Sequence, residues 1–217
     1  MEKIAVLASG GLDSSVLIAD KAEHAQVYPI YVQCGLAWEG VERDALDAFL
    51  NAMKAPNAMP ATTLSIPIGP MYGDHWSVTG KSVPGADQPD IEVLLPGRNI
   101  LLLGLAAVWC ATHEVSRIAV GSLDGNPFPD ATPEFFRNFA EVLSAGLGHK
   151  IQVEAPYRGL HKSDLIKRFA HLPLELTLTC MAPSGGQHCG RCNKCAERKA
   201  AFREAGVPDR TAYSAKE

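Results

Sequence analysis

The string Ser9-Gly10-Gly11-Leu12-Asp13-Ser14-Ser15 contains residues suited to phosphate chemistry. It directly follows the apolar run from Ile4 to Ala8 and leads into a stretch with helical character. Two successive glycines let a backbone approach a phosphate closely, and the start of a helix presents unpaired N–H groups and a positive dipole end. The segment therefore predicts a strand, a glycine turn and a helix that together form an anion cradle.

This cradle differs from the common nucleotide-binding loops, because it has neither the lysine of G-x-x-x-x-G-K-[ST] nor the spacing of G-x-G-x-x-G. The string S-G-G-x-D-S-[ST] resembles the pyrophosphatase loop of the ATP-cleaving enzymes that form amides or modify tRNA. That resemblance implies cleavage of ATP between its α and β phosphates, with transfer of AMP to an oxygen of the substrate. The competing interpretation is a serine-rich turn that merely caps a helix.

Four of the six cysteines have the spacing of metal ligands. Cys180, Cys189, Cys192 and Cys195 form the pattern C-x8-C-x2-C-x2-C. Four thiolates suit a tetrahedral Zn²⁺ and leave no open position, so the expected role is structural. An iron–sulfur cluster and unpaired buried cysteines are the alternatives, and disulfides are the weaker explanation in a chain that looks intracellular. His188, next to Cys189, is expected at the surface.

Composition favours a compact enzyme that acts on small molecules. The 217 residues are 47% hydrophobic with a net charge of -4, which argues against a protein that coats nucleic acid. No signal peptide is recognisable, and the uncharged run from Ile100 to Ala111 is too short to span a membrane, so we expect a cytoplasmic protein. We expect a nucleotide-binding domain over 1–172 and a zinc-binding module with a helix over 173–217.

Strand and helix patterns alternate along the chain, which predicts an α/β fold, a Rossmann-like parallel sheet with helices on both faces. The predicted strands are Lys3–Ala8, Val27–Val32, Thr62–Pro67, Arg117–Gly121 and Ile151–Glu154. The predicted helices are Leu12–Ala22, Glu39–Met53, Arg98–Ala111, Pro133–Ala145 and Lys162–Phe169. Ligands of such sheets bind beyond the carboxyl ends of the strands. The stretch from Ile68 to Leu95 is long for a connection and is predicted to be a functional loop or lid, with Trp76 either closing over the ligand or anchoring the packing.

Taken together, the motifs resemble the 7-cyano-7-deazaguanine synthase family over nearly the whole chain. Besides the loop, the matching segments are Leu95-Pro96-Gly97-Arg98-Asn99, Phe128-Pro129-Asp130, Leu160-His161-Lys162 and Cys189-Gly190-Arg191-Cys192-Asn193-Lys194-Cys195. The resemblance implies an adenine nucleotide alpha hydrolase-like fold, a homodimer, zinc on the four cysteines, and ATP with Mg²⁺. The implied reaction converts 7-carboxy-7-deazaguanine and ammonia into the amide and then the nitrile.

The same resemblance implies roles for individual residues. Ser9, Gly10, Gly11, Leu12, Asp13, Ser14 and Ser15 would bind the phosphates, and Asp13 would also hold Mg²⁺. Arg98 and Lys162 would be the cations that face the departing pyrophosphate, and Asp130 would accept hydrogen bonds from a guanine-like edge. The alternatives are a helix-capping or ion-paired Arg98, a solvated Lys162 and an ordinary turn residue at Asp130.

Two pocket segments depart from the family pattern. The stretch from Tyr31 to Trp38 replaces a Tyr-Gly-Gln-Arg-His-like string, and a short loop at 121–127 precedes Phe128, where a tyrosine is usual. A ligase that adenylates another carboxylate, including a peptide terminus, is therefore a second hypothesis, and a tRNA thiolase using Cys34 or Cys110 is a third. A nucleotide-binding regulator is the alternative without catalysis, but the basic C-terminal residues are expected to form only a solvated face: Arg191, Lys194, Arg198, Lys199 and Arg203.

Overall fold

The computed structural model describes residues 1–215, and its centre is a five-stranded, fully parallel sheet in the order β3-β2-β1-β4-β5. The central strand β1 pairs with β2 from Lys3 opposite Gln26 to Ala8 opposite Tyr31. The strands are β1 (Lys3–Ala8), β2 (Gln26–Gln33), β3 (Thr62–Ser65), β4 (Arg117–Ala119) and β5 (Gln152–Glu154).

Residues 1–215 form eight α-helices, of which the first six lie between strands and the last two follow β5. They are α1 (Leu12–Ala22), α2 (Glu39–Met53), α3 (Gly69–Tyr72), α4 (Trp76–Thr79), α5 (Arg98–Thr112), α6 (Pro133–Leu147), α7 (Lys162–Arg168) and α8 (Asn193–Ala205). Short 3₁₀ helices lie at Asp90–Val93, Pro129–Ala131 and Leu174–Leu176. The predicted α/β architecture is confirmed, and β1, α1 and α2 have the predicted bounds.

The sheet core explains why the strands read as continuous apolar runs. Ile4 and Val6 of β1 face the cluster that contains Leu17 of α1, whereas Ala5 of the same strand faces the cluster that contains Leu103 of α5. All five of these side chains are fully buried. Because alternate residues of a strand point to opposite faces, a strand covered by helices on both sides is apolar at every position.

Strand β4 is shorter than predicted, because it ends at Ala119 rather than at Gly121. Gly121 lies directly against the start of α1, where a Cβ at this position would stand 3.0 Å from the backbone carbon of Asp13. The chain thus leaves the sheet to pass the segment from Ser9 to Ser15, the predicted phosphate loop. The absence of a side chain at this glycine allows that close approach.

The stretch between β3 and α5 is folded and packed. Ile68 and Val93 are buried in it, and α3, α4 and a 3₁₀ helix lie between them. Asn193, the first residue of α8, donates its backbone N–H to Pro84 O at 3.0 Å and its side-chain amide to Gln88 O at 2.8 Å. These bonds join the stretch to the cysteine-rich segment. That it acts as a lid stays a prediction.

The cysteine-rich segment packs onto the part of the chain that contains the sheet. Cys195 belongs to the same core cluster as Ala5, and Phe202 of α8 belongs to the cluster of Ile4. The division into domains 1–172 and 173–217 stays a prediction. Among residues 1–215, no helix combines the length and apolarity needed to cross a membrane.

Arg198 of α8 is fully buried, so the prediction of a solvated face was wrong at this residue. Its guanidinium donates to the Thr211 hydroxyl at 2.8 Å, to the Thr177 and Thr179 hydroxyls at 3.0 and 3.3 Å, and to Leu174 O at 2.7 Å. The fork of five N–H donors is what lets one side chain serve four acceptors. Arg198 therefore fastens α8 to the segment that leads into the cysteines.

We expect Arg198→Lys to lower the free energy of unfolding by about 2–3 kcal/mol, because a single ammonium cannot replace the fork and leaves buried acceptors unpaired. Urea denaturation measures the change. The matched control is Arg203→Lys on the exposed side of the same helix, which should shift the free energy by less than about 0.5 kcal/mol. Equal stability of the two variants would contradict this assignment.

Candidate active site and cysteine cluster

The phosphate loop has the geometry of an anion cradle. Gly10 adopts φ +68°, and Gly11 precedes α1 without giving it a side-chain cap. The Ser14 hydroxyl instead accepts from Ser9 N at 3.2 Å and donates to Gly11 O at 3.1 Å, which fixes the turn from inside. The first-turn amides of α1 are thus left for an anion, as in other helix N-termini. This geometry disfavours the interpretation of the loop as a capping turn.

Gly10 is required by both its conformation and its surroundings. A Cβ at this position would lie in direct collision with the backbone of α2, 2.3 Å from Glu42 O, and the left-handed φ disfavours any other residue. We expect Gly10→Ala to lower the free energy of unfolding by at least about 2 kcal/mol and to abolish ATP binding, since the loop must move.

Thermal denaturation with and without ATP measures both effects. Gly40→Ala in α2 is the control, because Gly40 is exposed and no heavy atom lies within 4 Å of a Cβ built there. The control should keep the stabilisation by ATP. A Gly10→Ala protein with the same stabilisation would contradict the steric argument.

Lys162, at the start of α7, lies beside the phosphate loop. Its Nζ is 3.4 Å from Asp13 Oδ2 and 2.5 Å from Glu197 Oε1, and its side chain is only 11% exposed. The alternative of a solvated Lys162 was therefore wrong. Burial works against its charge, but the two carboxylates raise the pKa of Lys162 above its ordinary value. The site thus holds a permanent cation at the predicted phosphate position.

Glu197 of α8 is a site residue that the sequence reasoning missed. It pairs with Lys162 and, at 2.7 Å, with Lys194, and these two cations lower its pKa to about 2 against the effect of burial. The Lys194-x-x-Glu197 spacing placed the pair on one helix face, but nothing in the sequence indicated the contact with α7. A helix capped at its start by Cys192 thereby brings a carboxylate to Lys162, beside the phosphate loop.

Asp13 and Ser15 supply oxygen atoms that have no hydrogen-bond partner within residues 1–215. Asp13 Oδ1 and Ser15 Oγ are both buried and unpartnered. Burial raises the pKa of Asp13, and Lys162 partly offsets that rise. A buried carboxylate oxygen without a donor suits a hard cation such as Mg²⁺, which prefers oxygen ligands. The donor set therefore fits the predicted ion.

Arg98, the first residue of α5, and Asp130, in the 3₁₀ helix before α6, both line the cavity. The Nε of Arg98 is buried without a partner, and no carboxylate of residues 1–215 forms an ion pair with it. Asp130 Oδ2 accepts the backbone N–H of Asn99 at 2.9 Å, and the Asn99 amide donates to Asp130 O at 2.9 Å. Asp130 therefore anchors the helix start while its carboxylate borders the cavity. Its role toward a substrate stays a prediction.

The cavity connects these groups. It encloses about 370 Å³, a typical size for a small-ligand pocket, and borders both the phosphate loop and the two divergent segments. Trp38 and Trp76 stack in its wall with ring centroids 5.8 Å apart and planes at 17°. Trp76 is thus a packing partner that also faces the cavity. The Ser122 hydroxyl in the opposite loop is buried and has no partner among the described residues.

The four cysteines converge as predicted from their spacing. Their sulfur atoms all lie within 4.8 Å of one another, with 4.0 Å between Cys180 and Cys192 and 3.9 Å between Cys189 and Cys195. Zn–S bonds of 2.3 Å in a tetrahedron require sulfur atoms about 3.8 Å apart. Backbone N–H groups also point at the sulfurs, with Cys189 N donating to Cys180 at 3.2 Å and Cys192 N to Cys189 at 3.3 Å. The cluster fits zinc.

His188 is buried beside this cluster, so the prediction of a surface position was wrong. Its Nε2 accepts the backbone N–H of Thr179 at 3.1 Å, and burial followed by the charge of Arg198 lowers its pKa to about 4. The imidazole is therefore neutral at pH 7 and supports the segment that carries Cys180. Nothing in the sequence distinguishes His188 from a surface histidine, because Thr179 and Arg198 come close to it only when the chain folds.

Comparisons with known proteins agree with this geometry. A family model described as queuosine biosynthesis protein QueC matches residues 3–206. A 7-cyano-7-deazaguanine synthase of Xanthomonas oryzae pv. oryzae (strain PXO99A) is 33% identical over 227 residues, with 99% of each chain covered. One of Xanthomonas campestris pv. campestris (strain B100) is 32% identical with the same coverage. A solved structure, a predicted subunit of tRNA methyltransferase from Methanocaldococcus jannaschii, shares the fold with a TM-score of 0.50 and 15% identity over 79% of this chain and 75% of that chain.

Proposed function

The chain belongs to the queuosine biosynthesis protein QueC family, and from that premise we propose how its cavity works. The protein is an ATP-dependent enzyme of the ligase type that makes 7-cyano-7-deazaguanine. We propose that it starts from 7-carboxy-7-deazaguanine and ammonia, forms the amide first and then the nitrile, and consumes ATP in both steps. AMP and pyrophosphate are the other products.

One observation carries this proposal: the phosphate loop, Arg98, Lys162 and Asp130 border one cavity. Adenylation needs cations where the pyrophosphate departs, and it needs the acceptor oxygen next to the α phosphate. The loop and Lys162 supply the first requirement, and the space between Arg98 and Asp130 supplies room for the acceptor. Both ATP-consuming steps can therefore use the same site.

The residues act by binding and by stabilising charge. The amides of Leu12, Asp13 and Ser14 hold the phosphates, and Lys162 and Arg98 face the negative charge that grows on the departing pyrophosphate. Each adenylation gives the substrate carbon an oxygen that carries AMP, which is a far better leaving group than hydroxide or oxide. Ammonia then displaces AMP in the first step, and AMP leaves as the nitrile forms in the second. Asp130 orients the deazaguanine edge.

Two metal ions complete the proposal. Asp13 would hold Mg²⁺, which would neutralise phosphate charge, and Cys180, Cys189, Cys192 and Cys195 would hold Zn²⁺ in a structural role. The unpartnered oxygen of Asp13 and the spacing of the four sulfur atoms support these assignments.

Membership of this family does not support the three other hypotheses, which are adenylation of another carboxylate, tRNA thiolation and regulation without catalysis. The two spare thiols also argue against a thiolase. Cys34 and Cys110 are buried, and burial raises their pKa values to about 11 and about 12. Since the thiolate is the nucleophile, both groups are inactive near pH 7.

Turnover of the purified protein tests the function. The protein is incubated with ATP, Mg²⁺, ammonium and 7-carboxy-7-deazaguanine, and AMP, pyrophosphate and the deazaguanine products are followed by mass. We expect AMP only when the deazaguanine is present, with the amide preceding the nitrile. Absence of substrate-dependent AMP would overturn the proposal, and AMP formed only with a different carboxylate would select the divergent ligase.

We further propose, from the family resemblance, a cytoplasmic homodimer. Exposed apolar side chains on α5 and α6, namely Ile100, Val108 and Val142, offer a surface for a second copy. Sedimentation equilibrium distinguishes the dimer from the monomer.

A further inference from the structure

Glu42 is a buried carboxylate in the wall of the cavity that neither the loop nor the metal cluster explains. It lies on α2, is 7% exposed and lines the cavity, and its backbone borders Gly10 of the phosphate loop. Its carboxylate accepts a hydrogen bond from the Tyr31 hydroxyl at Oε2, at 3.1 Å, and another from the Trp38 side chain. An ionised carboxylate is costly to bury, and two side-chain hydrogen bonds without an ion pair among residues 1–215 offset only part of that cost.

The neighbouring Glu39 shows what a purely structural carboxylate looks like here. Its two oxygens accept the backbone N–H groups of Cys34 at 2.5 Å and Gly35 at 2.8 Å, which closes the turn before α2. Both of its oxygens are therefore engaged by the backbone. Within residues 1–215, the donors to the Glu42 carboxylate are side chains rather than backbone N–H groups, so it is not needed to hold a turn.

The surroundings of Glu42 suit a small cation. The groups that face it are Tyr31 from β2, Cys34 from the following loop, Arg98 from α5, and Trp38 and Glu39 at the start of its own helix. Arg98 is the single cation among them, and its charge offsets the effect of burial on Glu42 only in part. The aromatic faces of Trp38 and Trp76 add a surface that attracts cations. Burial raises the pKa of Glu42 to about 7, against the opposing charge of Arg98.

The proposed function requires a group of this kind. In water near pH 7 most ammonia is ammonium, which has no lone pair and cannot attack a carbon atom. We propose that Glu42 is the catalytic base that receives ammonium in the cavity and removes one proton from it. This inference rests on the proposed function and adds the residue that makes its nitrogen donor reactive.

The step balances as follows. A proton moves from ammonium to the Glu42 carboxylate, and the nitrogen lone pair forms the C–N bond to the substrate carbon that carries AMP. The C–O bond breaks, and AMP leaves with its electron pair. A second proton passes from the nitrogen to water, and Glu42 then releases its own proton to water. No oxidant or reductant is involved.

The test separates the nitrogen donor from ATP chemistry. Ammonium-dependent amide formation and deazaguanine-dependent pyrophosphate release without ammonium are measured for the wild type, Glu42→Gln and Asp44→Asn. We expect Glu42→Gln to slow amide formation about a hundredfold and to leave pyrophosphate release within about threefold of the wild type. Asp44→Asn, an exposed carboxylate-to-amide change on the same helix, should match the wild type in both assays.

Hydroxylamine provides the readout that a structural role would not change. It is uncharged at neutral pH and needs no base, so Glu42→Gln should form the hydroxamate at a rate close to that of the wild type. The ammonium-dependent rate of the wild type should rise with pH and level off above about 7, where Glu42 is ionised, whereas the rate of the variant should keep rising because it depends on free ammonia.

Each outcome decides between the assignments. Equal losses with ammonium and hydroxylamine would overturn the proposal and make Glu42 structural, and an unchanged ammonium rate would overturn it directly. If wild-type protein releases no pyrophosphate with the deazaguanine, the proposed function itself has failed. The variant should remain folded, because an amide of the same shape avoids the cost of an ionised buried carboxylate above pH 7, and thermal denaturation at pH 8 checks this.

Discussion

Replacing Lys162 by methionine is expected to slow ATP-dependent pyrophosphate release about a thousandfold, equivalent to about 4 kcal/mol of transition-state stabilisation. Negative charge grows on the β phosphate as its bond to the α phosphate breaks, and the Lys162 ammonium is already fixed beside the loop by Asp13 and Glu197. A cation that needs no reorganisation during the reaction stabilises that charge most strongly. The loss should appear in kcat more than in KM for ATP.

The control for this variant is Lys167→Met, one turn further along α7 at an exposed position. It removes the same charge without touching the loop, so its rate should remain within about twofold of the wild type. Circular dichroism and urea denaturation establish that Lys162→Met is folded, and Lys194 still pairs with Glu197 in that variant. A folded Lys162→Met protein with full turnover would exclude Lys162 from the chemistry.

Cys195→Ser is expected to have the largest effect on stability, a loss of at least about 4 kcal/mol in the free energy of unfolding. The variant removes one of four ligands, and a structural zinc contributes its binding energy to folding. Zinc content, measured by mass spectrometry after dialysis, should fall from about one ion per chain to near zero. In the presence of a chelator, the wild type should unfold at the same denaturant concentrations as the Cys195→Ser variant.

The loss should extend to catalysis, because α8 begins at the cluster and carries Glu197 to Lys162. Cys110→Ala is the control: it removes a buried thiol that is not a ligand, so it should cost only about 1 kcal/mol and leave the zinc content unchanged. A Cys195→Ser protein with wild-type zinc and stability would rule out this cysteine as a structural ligand.

The fold and the two main motifs were predictable because their signals are local. The glycine turn after β1 and the C-x2-C-x2-C run each fix the backbone and the donor atoms within a few residues. The full apolar character of β1 likewise indicated a strand covered on both faces. Prediction failed where a residue's environment comes from distant segments, as for the buried Arg198 and His188, which had been expected in solvent.

The long stretch before α5 illustrates the same limit. Its prolines and glycines suggested an irregular loop. Its carbonyl groups at Pro84 and Gln88, however, accept hydrogen bonds from Asn193, which lies more than a hundred residues further along the chain. Such contacts have no local pattern, because each backbone group looks alike until the fold selects its partner.

The sequence by itself determined the glycine turn before α1, the four-cysteine cluster and the parallel α/β sheet, because each depends on residue types at short, fixed spacing. Only the tertiary structure decided that Lys162 is held between Asp13 and Glu197, that Arg98 and Asp130 border the same cavity, and that Glu42 is buried beside them. The physical reason is that charge and acid–base behaviour depend on distance and burial in space. The carboxyl ends of parallel strands bring together side chains from along the chain that no spacing rule connects.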